Sequence, residues 1–121
     1  MRNQPKYNFF KNTSYALNGL KDLMQTETSF RIELFLTLVL LPVIFLVDVN
    51  LTHKILMFLT LLGMLLAETI NSAIERVVDL VTLEHHEMAG RAKDVGSSIV
   101  FISIFAFCIT WAIILIEYIT H

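Results

Sequence analysis

The chain has 121 residues, 55% of them hydrophobic and 17% charged, with mean hydropathy +0.66 and a formal charge of -2. A soluble domain this small could not bury so much apolar surface, and a slightly acidic chain lacks the basic surface that a nucleic-acid binder uses. The single cysteine, Cys108, lies within an apolar run, which excludes an intrachain disulfide framework and a cysteine zinc site.

The first 30 residues intersperse Arg2, Lys6, Lys11 and Lys21 with polar residues and lack the apolar core of a secretory signal. Within about 6–26, Phe9, Phe10, Thr13, Leu17, Leu20, Leu23 and Met24 recur at helical spacing. Lys11, Asn12, Ser14, Asn18, Lys21, Asp22 and Gln25 fall largely on the opposite side. This pattern predicts an amphipathic helix lying in the membrane surface.

Three uncharged stretches follow, at 34–47, 55–67 and 95–116. A hydrocarbon core needs about 20 helical residues, so only the third is long enough by itself. The first two spans must carry polar groups at headgroup level or below: Arg31 and Glu33 in the first, Glu68, Asn71 and Glu75 in the second. The expected spans are about 29–47, 52–79 with a cytoplasmic extension, and 91–119. The fold class is thus an all-α membrane protein of one domain, with a surface helix and three transmembrane helices. Pro42 lies in the first span, where a kink is expected.

Of the nine basic residues, five (Arg2, Lys6, Lys11, Lys21, Arg31) precede the first span and three (Arg76, Arg91, Lys93) lie between the second and third. Lys54 alone lies in the first connection. The positive-inside rule then predicts that the N-terminus and the second connection are cytoplasmic, with the turn around Asp48 to Lys54 and the C-terminal His121 outside. Asn12 and Asn50, although in glycosylation sequons, are expected to be unmodified.

The stretch Glu68-Thr-Ile-Asn71-Ser-Ala-Ile-Glu75-Arg-Val-Val-Asp79 carries the chemistry. Asn71, Glu75 and Asp79 form one helical stripe, and Glu68 lies one turn from Asn71 and two from Glu75. Ionisable groups at membrane depth are costly unless paired, which marks them as functional candidates. Glu27 continues the apolar stripe of the surface helix, so a partner is expected to meet it there. Carboxylates gathered at a cytoplasmic interface form an oxygen-rich site suited to Mg²⁺, held together with water and substrate phosphates. That combination suggests phosphoryl transfer, with Glu84, His85, His86, Arg91, Lys93 and Asp94 able to contact a nucleotide. No P-loop, dinucleotide fingerprint or protein-kinase motif is present. His86-Glu-Met-Ala-Gly90 has glycine where a zinc-protease helix needs its second histidine.

Together with His86-Glu-Met-Ala-Gly-Arg-Ala-Lys-Asp94-Val-Gly-Ser97, this stretch resembles the prokaryotic diacylglycerol kinase family of small membrane lipid kinases. The resemblance spans nearly the whole chain. Gly90 to Ser97, with the late Thr110-Trp111, is closer to the Gram-negative diacylglycerol kinases than to the related undecaprenol kinases. It implies a homotrimer that phosphorylates diacylglycerol with Mg-ATP at the cytoplasmic leaflet. It also implies Glu68 as general base and Glu27 and Glu75 as metal-binding carboxylates. Nucleotide contacts are implied at Tyr15, Glu27, Glu75, Glu84, His85, His86, Lys93 and Asp94, with Asn71 as a polar active-site residue. Arg31, Glu33, Glu68, Ser97 and Trp111 fall near the lipid substrate. Relatives place an arginine early in the surface helix where this chain has Asn8. Lys6 and Lys11 flank it, but a lysine's point charge does not reproduce a guanidinium fork, so this contact is not carried over.

Two other functions frame the expectation. Undecaprenol kinase shares the chemistry and differs in substrate. A small proton-coupled transporter needs four spans and a midplane glutamate, whereas this chain has three spans and carboxylates graded toward one interface. Ser103, Ala106 and Thr110 make a small-residue stripe on the third span, suited to close helix contact in an oligomer.

Overall fold

A computed structural model describes residues 6–121; Arg2, counted above for orientation, lies outside them. The described chain is four α-helices: α1 (Phe9–Thr26), α2 (Thr28–Leu46), α3 (Leu51–Val81) and α4 (Glu87–Thr120). The last three are long and apolar enough to cross a membrane. At 1.5 Å per residue, α3 and α4 extend about 45–50 Å, well beyond a hydrocarbon core of roughly 30 Å. Both therefore continue past the bilayer without a break. α2 runs through Pro42 and ends four residues later.

Three helices begin with a side chain that satisfies an otherwise orphaned backbone N–H. Asn8 accepts from the Lys11 amide at 3.1 Å, Asn50 from that of His53 at 2.8 Å, and His86 Nδ1 from that of Met88 at 3.1 Å. Asn8 thus has a local role as the cap of α1. At the short turn between α2 and α3, Lys54 Nζ donates to the Phe45 carbonyl at 3.3 Å, where a cation suits a helix C-terminus.

A single extended residue, Glu27, separates α1 from α2. Two arginines tie this corner down. Arg31 donates to the Met24 carbonyl at 2.9 Å and to Thr28 Oγ1 at 3.0 Å. From α3, Arg76 donates to Asp22, to Thr26 Oγ1 at 2.8 Å and to Glu27 Oε1 at 3.3 Å. α1 is thereby joined to a helix some 50 residues later in the chain.

α3 is the central element, with α2 and α4 packed along it. The core is divided by character. Toward the α2–α3 turn it is apolar, made by Ile44 of α2 and Val47 at its C-cap, Met57, Leu61 and Met64 of α3, and Trp111 and Ile114 of α4. Trp111 Nε1 donates to the Met57 carbonyl at 3.2 Å and to Thr60 Oγ1 at 3.1 Å, so the indole is buried with its polar atom satisfied. Toward the other end the buried residues turn polar: Glu68, Asn71 and Ser72. Much of the remaining apolar surface is exposed, including Phe35, Leu66, Phe101 and Ile113. A lipid solvent tolerates this; water does not.

Candidate active site

The polar end of the bundle is organised on α3. Helical periodicity places Glu68, Asn71, Glu75 and Asp79 along one side, and neighbouring helices give each a different environment. Glu68 is 7% exposed and Asn71 likewise 7%, whereas Glu75 is only partly covered and Asp79 is open to solvent. Asn71 Nδ2 donates to Glu75 Oε1 at 3.2 Å, which links two members of the stripe. Asn71 Oδ1 and the Ser72 hydroxyl are buried with no hydrogen-bond partner.

The α1–α2 corner brings further carboxylates to this stripe. Glu68 lies within electrostatic reach of Glu75 and Glu27, and Glu33 within reach of Glu68. Glu33 Oε2 is buried and has no hydrogen-bond partner. Four carboxylates therefore gather from the α1–α2 junction, α2 and α3, with Arg76 holding Glu27 by one edge. Concentrated negative charge of this kind is expensive without a cation. Among the described residues no three His, Cys, Asp or Glu side chains are close enough to enclose a metal ion by themselves. The arrangement suits a hard cation that takes one or two carboxylates and fills its remaining positions with water and phosphate oxygens.

Beyond Glu75 the site opens into a cleft of about 300 Å³ between the end of α3, the following turn and the start of α4. Asp79, Thr82, Glu84, His85, His86 and Lys93 line it. Lys93 Nζ is 2.7 Å from Asp79 Oδ1 and within electrostatic reach of Glu75. The Glu84 amide donates to Thr82 Oγ1 at 3.1 Å, which shapes the turn. Four residues named from the sequence for nucleotide contact thus share one concavity, which begins at Asp79, one turn beyond Glu75. A larger cavity, about 660 Å³, opens at the opposite end of the bundle beside Asp48, His53 and Glu117 and adjoins none of these groups.

Other candidate residues stand apart within this chain. Tyr15 is exposed on α1, and Asp94 and Ser97 are exposed on α4. Arg31 is engaged with the α1 C-terminus. Trp111 packs on Met57, which lies 11 residues, or about 16 Å of helix, from Glu68. The sequence shows Asp22 only as part of the polar side of the surface helix; that it and Thr26 anchor Arg76 leaves no local signal, because the partners are 54 and 50 positions apart.

The model of the family described as prokaryotic diacylglycerol kinase matches residues 14–115, which takes in every candidate residue from Tyr15 to Trp111. The chain belongs to the prokaryotic diacylglycerol kinase family. Its relatives include the diacylglycerol kinase of Haemophilus influenzae, 44% identical over 103 residues, which covers 85% of this chain and 87% of the relative. The diacylglycerol kinase of Pseudomonas aeruginosa is 41% identical, covering 86% and 85%. The undecaprenol kinase of Bacillus subtilis is a more distant member at 34% identity, covering 84% and 82%.

Proposed function

We propose that this chain is an ATP-dependent diacylglycerol kinase that forms phosphatidic acid at the cytoplasmic face of a bacterial inner membrane. The observation that carries the reading is the graded burial along α3: Glu68 is enclosed, Glu75, two turns away, is only partly covered, and Asp79, one turn further, lines an open cleft. Diacylglycerol keeps its acyl chains in hydrocarbon and presents its hydroxyl at the interface, while ATP arrives from water. A base about 10 Å deeper than the metal-binding carboxylate matches that geometry.

In this reading the hydroxyl oxygen attacks the γ-phosphorus of ATP, its proton passes to Glu68, the bond to the β,γ-bridging oxygen breaks, and ADP leaves. Phosphoryl transfer depends mainly on positioning and charge neutralisation. Glu75 and Glu27 would hold Mg²⁺, which when bound neutralises the nucleotide phosphates. Asn71 holds Glu75 in place. Lys93, drawn toward Asp79 in the free protein, can turn to the phosphates, with Glu84, His85, His86, Asp94 and Tyr15 as further nucleotide contacts. Arg31, Glu33, Ser97 and Trp111 are assigned to the lipid side. α1 lies in the membrane surface with Phe9, Phe10 and Leu17 toward lipid, since all three are exposed to solvent otherwise. The N-terminus faces the cytoplasm and the C-terminus the periplasm.

A homotrimer completes the site. Three spans leave Glu27 and Glu75 only partly covered, and α4 carries Ser103, Ala106 and Thr110 for close packing against a neighbour. With an active site shared between protomers, mixing the inactive Glu68→Gln and Asp94→Asn proteins restores part of the activity. Mixtures that stay inactive at every ratio would confine the site to one protomer.

The decisive assay gives purified protein labelled ATP, Mg²⁺ and either diacylglycerol or undecaprenol. Label is expected in phosphatidic acid. Label only in undecaprenyl phosphate would reassign the substrate, and label in neither lipid would remove the kinase reading.

A further inference from the structure

Glycine inside a helix lowers its stability relative to alanine, so a helical glycine needs a reason. α4 contains Gly90 and Gly96. At Gly90 a Cβ would meet nothing within 4 Å, and the position is open. Gly96 is different. It is the buried residue on this part of α4, and a Cβ there would collide with Oδ1 of Asn71 on α3. It would also lie 3.5 Å from Asn71 Cγ and 3.6 Å from Ile74 Cδ1. The Asn71 carboxamide therefore occupies the volume a side chain at position 96 would fill.

Nothing else seats this carboxamide on its oxygen side. Oδ1 is buried and has no hydrogen-bond partner, while Nδ2 on the other side donates to Glu75 Oε1 at 3.2 Å. The orientation is chemically determined: reversing the amide would aim its oxygen at the Glu75 carboxylate, acceptor against acceptor. Its place is thus set by two contacts, the hydrogen bond to Glu75 and the notch over Gly96. Filling the notch drives the amide away, and Glu75 loses its donor.

Resting on the kinase reading above, we propose that Gly96 is a positioning residue for phosphoryl transfer: its missing side chain seats Asn71, and Asn71 orients the Glu75 carboxylate toward the metal nucleotide. The effect runs through Asn71 and concerns the nucleotide side of the site. It does not concern the lipid side.

A double-mutant cycle tests this. Wild type, Gly96→Ala, Asn71→Ala and the double variant are assayed in mixed micelles with diacylglycerol and Mg-ATP, each substrate varied in turn. Gly96→Ala is expected to raise KM for Mg-ATP and lower its kcat/KM about 10- to 100-fold, the scale on which a small displacement of a reacting group acts. KM for diacylglycerol stays at the wild-type value. The Asn71→Ala variant shifts in the same direction. Adding Gly96→Ala to it costs nothing further, because no carboxamide remains to be displaced. A Gly96→Ala enzyme within twofold of wild type overturns the proposal, as does a Gly96→Ala penalty undiminished in the Asn71→Ala background. Should Gly96→Ala alone fail to fold, recovery of folded protein in the double variant supports the collision with Asn71, and failure of the double variant refutes it. Wild type that makes no phosphatidic acid sinks the kinase reading and this inference with it; an active wild type with an unaffected Gly96→Ala sinks the inference alone.

Discussion

Glu68→Gln is expected to lower kcat for diacylglycerol phosphorylation by about 100- to 10,000-fold, the range for loss of a positioned general base. The substitution keeps size and hydrogen-bonding shape and removes only the proton-accepting charge, so the enclosed site has no cavity to collapse into. KM for Mg-ATP is expected to change little, because Glu68 lies about 10 Å deeper than Glu75 on the helix. The measurement is steady-state transfer of labelled phosphate, together with thermal denaturation in detergent. Removing one of several converging carboxylates relieves repulsion among Glu27, Glu33, Glu68 and Glu75, so the variant should be at least as stable as wild type. An inactive variant that is also unfolded would leave no case for Glu68 as base, and full turnover would exclude that role outright.

Glu75→Gln is expected to fail differently. Its side-chain oxygen can still accept from Asn71 Nδ2, so the local fold survives, but the charge that would face the cation is gone. We expect kcat/KM for Mg-ATP to fall about a hundredfold or more, some 2.7 kcal/mol of transition-state stabilisation at 1.36 kcal/mol per decade. Raising free Mg²⁺ should recover part of the loss in Glu75→Gln and none of it in Glu68→Gln, which separates a metal-binding carboxylate from a base. Equal insensitivity of the two variants to magnesium would remove Glu75 from the metal site. Glu27→Gln should resemble Glu75→Gln, modified by its contact with Arg76, whose guanidinium stays anchored on Asp22 and Thr26.

The two variants also show where the site could be read in advance. The order Glu68, Asn71, Glu75 has helical periodicity, and a carboxylate that interrupts an apolar run too short to span the bilayer stands out by its cost. Lys93, by contrast, was named as a nucleotide contact, and its pairing with Asp79 appears only when α3 and α4 are brought together around the turn. The resemblance assigns Glu33 to the lipid side; that it comes within electrostatic reach of Glu68 with a buried, unpaired oxygen is a fact of packing. Asn50 looked like an accidental sequon and is the cap of α3.

Helix type, three membrane-length segments and an acidic stripe were all determined by the chain of residues itself, because periodicity and hydropathy act over neighbouring positions and leave a local trace. Tertiary structure decided the rest: that Arg76 reaches back to Asp22 and Glu27, that four carboxylates share one end of the bundle, and that Gly96 makes room for Asn71. Those relations join residues some 25 to 54 positions apart. They depend on how helices cross and on which side-chain volumes can coexist, and no short-range pattern encodes that.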